Sequence, residues 1–404
     1  MSRGLQSSRL PSATCHNFIV RLLISAGEAS GEAYGASLIT ALRNLLAPAQ
    51  KDLQCFGLGG HQMEQAGCEM VVHASDVAVV GLAEVLEHLP RIYRLFHRLV
   101  REAERRRPDI AVVIDFPDFN FRLARELHKL NIPVIYYVSP QLWAWRLSRV
   151  ELVRKYVRKM LVIFPFEVEF YRRHGIDAEF VGHPLADMPH PSTDRDEFAN
   201  RNRLDARKPW IALLPGSRRG EVSRIFPKLL ATAKLLGPEY VYITPVASTL
   251  DPEWMKSFLE KHGGAPVEFT SDARATMAHC RAGAIASGTS TIEAALLGTP
   301  FAMVYQVAPL TWRFGRRLVK LDRFAMPNLI AGRGLVPELV QEAFTPERLC
   351  AALHAILPDG PARTAMIAGL NDVRHALQSP DQDVSASERA ARAVLQVLGQ
   401  PHEE

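Results

Sequence analysis

Nowhere does the chain carry an apolar run approaching the roughly 18 residues that a bilayer-spanning helix needs, so no spanning helix is expected. Its five cysteines, Cys15, Cys55, Cys68, Cys280 and Cys350, are odd in number, scattered and without C-x-x-C spacing. That pattern argues against a zinc site and a disulfide framework, and for a reducing compartment. The glycine-rich turns contain neither G-x-G-x-x-G nor the G-K-[ST] of a P-loop, which excludes a dinucleotide fingerprint and a Walker site by pattern. No His, Cys and carboxylate cluster has metal-ligand spacing. Asp194-Arg-Asp196 and Asp381-Gln-Asp383 lie in polar, loop-like stretches and read as solvated.

What is present is the composition of a soluble globular protein, 48% hydrophobic and 23% charged, with 404 residues, enough for two ordinary domains. Residues 1–17 hold Arg3, Arg9, several serines and no acid. They read as a disordered overhang, with a transit peptide as the alternative. Apolar runs then alternate with helical patterns, which predicts an α/β fold. Strands are expected at Phe18–Ser25, Leu53–Phe56 (ending in Gly57-Leu58-Gly59-Gly60), Ile110–Ile114, Pro133–Val138 and Met160–Phe164. A second series follows at Ile211–Leu214, Val241–Thr244, Gly283–Ala286 and Phe301–Tyr305. The proline-rich, charged stretch 186–208 is the expected linker. It separates an N-terminal domain, 18–185, from a C-terminal one, 209–380, with a last helix in 381–404 opened by the capping box Ser385-x-x-Glu388.

Four strand ends could carry chemistry. In Ile110–Asn120, I-A-V-V-I-D-F-P-D-F-N, a doubly buried strand runs straight into Asp115, and Pro117 stops it. In open α/β sheets ligands bind beside the carboxyl ends of strands, so Asp115 is a candidate general base. The bland reading is a helix cap. Ser25-Ala-Gly-Glu-Ala-Ser-Gly-Glu is a glycine-rich strand-to-helix turn carrying Glu28, Ser30 and Glu32. Leu213-Leu-Pro-Gly-Ser-Arg-Arg-Gly-Glu221 predicts a helix start, from about Glu221, that suits an anion. Gly216, Ser217 and the fork of Arg218 would hold a phosphate there. Ala286-Ser-Gly-Thr-Ser-Thr-Ile-Glu293 offers a similar turn through Ser287, Gly288 and Thr289. Glu293 there either accepts from ribose hydroxyls or closes a capping box with Ser290. Two such turns in one domain favour a nucleoside diphosphate. His183, at the hinge, reads as structural.

Two basic amphipathic segments look interfacial. Arg91–Arg107 sets Ile92, Leu95, Phe96, Leu99, Val100 and Ala103 against Arg91, Arg94, Arg98, Arg101 and Arg105. Thr311–Phe324 combines Trp312, Phe314, Leu318 and Leu321 with Arg313, Arg316, Arg317, Lys320 and Arg323. Both suit an anionic membrane surface, with ordinary surface helices as the alternative. No recognition motif accompanies the charge, so nucleic acid is not an expected partner.

Read in order, S-A-G-E-A-S-G-E, G-L-G-G-x-x-M, V-V-G-L-A-E-V-L, I-D-F-P-D-F-N, Y-V-S-P-Q-L-W-A-W-R, F-P-F-E, F-V-G-H-P-L-A-D, L-L-P-G-S-R, S-G-T-S-T-I-E and P-N-L-I-A-G-R resemble the lipid-A-disaccharide synthase family (glycosyltransferase family 19) over roughly residues 20–345. The resemblance implies a GT-B fold: two Rossmann-like domains facing across a central cleft, the nucleotide in the C-terminal half and the final helix returning to the N-terminal domain. It implies an inverting, metal-independent hexosyltransferase without cofactor, joining UDP-2,3-diacylglucosamine to 2,3-diacylglucosamine 1-phosphate (lipid X). The products would be a β(1→6) lipid A disaccharide 1-phosphate and UDP. The family acts at the cytoplasmic face of the inner membrane, as a peripheral enzyme.

By motif, Asp115 becomes the general base. Arg218, Gly216, Ser217, Ser287, Gly288, Thr289, Glu293 and Asn328 fall at the UDP donor. Glu28, Ser30, Ser139, Trp143 and Arg146 fall at the acceptor side, and Arg94, Arg98, Arg101, Trp312 and Arg316 at the membrane. Glu32 stands where the family usually has Asp and is left outside the catalytic set. The alternatives are another GT-B enzyme (a UDP-sugar 2-epimerase or a muropeptide transferase) and a non-catalytic lipid-binding protein. Oligomeric state, a homodimer included, is left open.

Overall fold

A computed structural model describes residues 19–77, 82–145, 147–315, 322–381 and 383–399. Seven strands form a first sheet: β1 (Ile19–Ala26), β2 (Asp52–Gly59), β3 (Cys68–His73), β4 (Ile110–Ile114), β5 (Val134–Tyr137), β6 (Lys159–Val162) and β7 (Ala178–Phe180). Their spatial order is β3-β2-β1-β4-β5-β6-β7. Six form a second: β8 (Trp210–Leu214), β9 (Val241–Pro245), β10 (Val267–Thr270), β11 (Ala282–Ala286), β12 (Phe301–Tyr305) and β13 (Glu338–Val340), in the order β10-β9-β8-β11-β12-β13. All the registers described are parallel. The central strands β4, β5, β8 and β11 are buried at every position. Continuous apolar runs are what a parallel sheet covered on both faces requires.

In each sheet the chain lays strands to one side of its first strand, then crosses back to extend the other side. The order reverses between β1 and β4 and again between β8 and β11, and such switch points leave a crevice for ligands at the carboxyl ends. The helix Ala29–Leu46 returns the chain from β1 with Leu38, Ile39, Leu42 and Leu46 buried on one face.

By compactness the chain makes two units. Of the described residues, the first takes in those up to Pro140, Leu152–Met160 and those from Ser387; the second takes in those of Gln141–Glu151 and Leu161–Ala386. The last helix, Ala386–Leu398, belongs almost wholly to the first. Among the described residues no helix is long and apolar enough to cross a membrane.

Several expectations are corrected. β2 does not stop at Phe56 but runs through Gly59. Gly57 fits there because it has no Cβ, which would stand 1.8 Å from the Ile24 carbonyl oxygen. The stretch 186–208 contains a helix, Arg195–Asn202, and Asp194 is its N-cap, accepting from the Glu197 N–H at 2.8 Å. Cys55 and Cys68, register partners on β2 and β3, form a disulfide. With β3 unread in the sequence, nothing set them opposite each other. The pairing removes the cysteine argument for a reducing compartment.

Candidate active site

In the first unit, Asp115 sits one residue past β4, beside the switch point. Its backbone, and that of Phe116, take left-handed φ values of 43° and 48°. Val138, one residue past the adjacent strand β5, has φ 62°. Non-glycine residues pay for this conformation, a β-branched valine most of all, and such strain gathers at functional sites. The bend is held by named bonds. The Asp115 N–H donates to the Tyr137 carbonyl at 3.1 Å. The Asp115 carbonyl accepts from Asn120 Nδ2 and from Tyr136 Oη, each at 2.7 Å. The Asp115 carboxyl is pushed up to about 6 by burial, with the Glu28 charge adding to the rise and the Phe116 N–H opposing it. Asp115 is not the helix cap: the N-cap of Pro117–Lys129 is Phe116, and Asp118 lies exposed in the first turn.

Glu28, the N-cap of Ala29–Leu46, and Ser30, in the first turn of that helix, are both exposed. Gly27 lets the Phe116 ring lie against the turn, its Cδ1 2.3 Å from where a Cβ would be. Glu32 points elsewhere: its Oε1 accepts from the Gln62 N–H at 2.7 Å, closing the start of the helix His61–Gln65, and Gly60 leaves room for it. Ser139, buried beyond β5, donates to the Pro140 carbonyl at 2.9 Å.

In the second unit, the turns after β8 and β11 start side by side, since Ile285 registers with Leu214. Gly216, at φ 109°, turns the chain after β8, and Arg218 is the exposed N-cap of Arg219–Leu236. The helix begins two residues earlier than expected. Its first bonds run from the Glu221 and Val222 N–H groups to the Arg218 carbonyl. The preceding N–H groups of Arg219 and Gly220 are orphans of the helix start, where the dipole favours an anion. Ser217 N–H leans on Glu221 Oε2 at 3.3 Å, and the Ser217 carbonyl accepts from Thr249 at 2.6 Å.

After β11, Gly288 at φ 150° is the N-cap of Thr289–Leu297, with Gly288 and Thr289 exposed and Ser287 half-buried. This corrects the capping-box reading of Ser290 and Glu293. The cap lies two residues before Ser290. Glu293 lies instead 4.0 Å from Arg274, its carboxyl raised by burial against the pull of that guanidinium.

Asn328 is buried and fully engaged. Its Oδ1 accepts from the Leu335 and Val336 N–H groups, both at 2.8 Å, and its Nδ2 donates to the Val336 carbonyl and to Glu338 Oε1. Glu338 also accepts from the Phe324 and Ala325 N–H groups, a role that no sequence signal announced. Trp143 donates through Nε1 to the buried Glu167 at 3.1 Å. Burial pushes the His183 imidazole down to about 3, so it is neutral while its Nδ1 accepts from the Leu185 N–H.

On the helix Leu82–Arg106, Arg94, Arg98 and Arg101 are exposed, and none pairs with a carboxylate among the described residues. Leu99 and Ala103 are buried beneath them, while Tyr93 is 66% exposed. Trp312 is half-buried on Pro309–Gly315, and Arg146 and Arg316 lie outside the described residues. Among the described residues no three His, Cys, Asp or Glu side chains gather as a metal site.

A family model described as Lipid-A-disaccharide synthetase matches residues 22–393. A lipid-A-disaccharide synthase of Koribacter versatilis is 59% identical over 380 residues, 94% of this chain and 99% of that protein. The chain belongs to the lipid-A-disaccharide synthase family. As a member it is a glycosyltransferase of lipid A biosynthesis. A crystal structure of the kitacinnamycin glycotransferase aligns with TM-score 0.62 at 15% identity, covering 94% of this chain and 99% of the other. A UDP-GlcNAc 2-epimerase of Neisseria meningitidis, bound to UDP-GlcNAc, aligns with TM-score 0.56 at 11% identity, covering 94% and 99%. At those identities the likeness is one of fold, which is GT-B. The family match, not the fold, separates lipid-A-disaccharide synthase from the epimerases.

Proposed function

We propose that the chain transfers 2,3-diacylglucosamine from its UDP ester to the 6-hydroxyl of lipid X, with inversion. Asp115 takes the proton of that hydroxyl as its oxygen bonds to the donor's anomeric carbon. The bond from that carbon to the diphosphate breaks, and UDP leaves with the bonding pair. The Arg218 guanidinium and the helix starts at Arg219 and Thr289 offset the charge gathering on the diphosphate. Glu293 accepts from ribose hydroxyls, and Asn328 acts through the loop it ties. Glu28, Ser30, Ser139, Trp143 and Arg146 serve the acceptor side. Arg94, Arg98 and Arg101, with Trp312 and Arg316, meet an anionic bilayer surface at the cytoplasmic face of the inner membrane, from which both acylated substrates are drawn.

The observation that supports this reading is the position of Asp115: a strand-end carboxylate at a switch point, in left-handed backbone, where ligands of open α/β sheets bind. Release of UDP on mixing the two acylated sugars tests it. UDP is expected only when donor and acceptor are both present. Equal release from the donor alone would count against lipid X as acceptor.

A further inference from the structure

The bonds around the Asp115 carbonyl reach further than a loop needs. Asn120 is completely buried in the first turn of Pro117–Lys129. Its Nδ2 donates to the Ile114 carbonyl at 3.0 Å as well as to that of Asp115, and its Oδ1 accepts from Ser25 Oγ at 2.7 Å. Ser25 belongs to β1 and is also completely buried. Tyr136, on β5, brings the second donor to the same Asp115 oxygen. One carbonyl is thus gripped by donors on two elements, one of them braced from a third, directly at the residue whose φ is 43°. Without those donors the Asp115–Phe116 peptide would be free to leave its left-handed conformation, which a non-glycine residue abandons readily.

Resting on Asp115 as the base, we propose that Asn120 and Tyr136 are positioning residues: by clamping the Asp115 carbonyl they hold the strained peptide, and so aim the carboxylate at the acceptor hydroxyl. Ser25 fixes Asn120 in the orientation that presents both of its N–H groups. Neither Asn120 nor Tyr136 need touch substrate, so the clamp acts on the chemical step and not on affinity.

The test compares kcat and KM for both acylated sugars in Tyr136→Phe and Asn120→Asp, each alone and combined with Asp115→Asn, with thermal melts to establish folding. Tyr136→Phe keeps the ring and loses one donor. Its kcat is expected to fall roughly tenfold, the worth of a buried hydrogen bond, with both KM values within about twofold. In the Asp115→Asn background the same change is expected to have no further effect, because there is no base left to aim. A loss of equal size in both backgrounds, a rise in KM with kcat unchanged, or no effect would each overturn the proposal. Should Asn120→Asp fail to fold, Tyr136→Phe decides alone. Near-normal turnover in Asp115→Asn by itself would instead remove the base assignment on which the clamp depends.

Discussion

At the Asp115 carboxyl, burial and the negative Glu28 act in the same direction, both favouring the protonated form. A base must be ionised to work, so activity is expected to rise with pH as this group, pushed up to about 6, loses its proton, and to level off above it. Measured as kcat/KM against pH, Glu28→Gln should move the acidic limb to lower pH by removing one like charge. A limb that stays in place would deny the coupling of the two carboxyls. The place of Asp115 at the end of a buried strand was legible in the sequence, because an unbroken apolar run stops there; its candidacy as base came from the other motifs and the family resemblance. Its left-handed backbone was not legible, since no glycine marks it. Nor could the sequence tell that Asn328 spends every hydrogen bond inside the protein, or that Glu32 caps a helix far along the chain: both depend on which loops the fold brings near.

The strands divide by position in the sheets. The nine expected from apolar runs are all present, two with both ends as expected and the rest with ends shifted by at most three residues. The four unread ones, β3, β7, β10 and β13, are the four sheet edges. Edge strands are short and half-solvated, so C-E-M-V-V-H, A-E-F, V-E-F-T and E-L-V carry acids where a central strand would be apolar. The turns after β8 and β11 were legible because each holds a glycine in left-handed backbone, at φ 109° and 150°, though the helices they open begin earlier than expected. Gly57 has a different reason: the Ile24 carbonyl occupies the space of its side chain. Gly57→Ala is therefore expected to destabilise the first unit by about 3 kcal/mol or to prevent folding. Urea unfolding within about 0.5 kcal/mol of the parent would show that β1 and β2 can part without cost.

Across the molecule, one topology appears twice, each time with its carboxyl-end turns at the point where strand order reverses. The first copy carries Asp115 and the bonds that hold its backbone, the second two adjacent glycine-led helix starts, and the order of the motifs along the chain placed each in its half. The exposed arginines of Leu82–Arg106 belong to the protein as a surface. Replacing Arg94, Arg98 and Arg101 by Glu is expected to abolish sedimentation with anionic vesicles while leaving the fold intact. Equal sedimentation before and after would sink the membrane role of that helix.

The central claim is that Asp115 is the base of a glycosyl transfer to lipid X, and Asp115→Asn tests it most directly. Acceptor-dependent UDP release is expected to fall by about 10²–10⁴-fold, the usual cost of losing a general base, with UDP affinity unchanged by titration. Turnover within a few-fold of the parent, with both acylated sugars saturating, would contradict it.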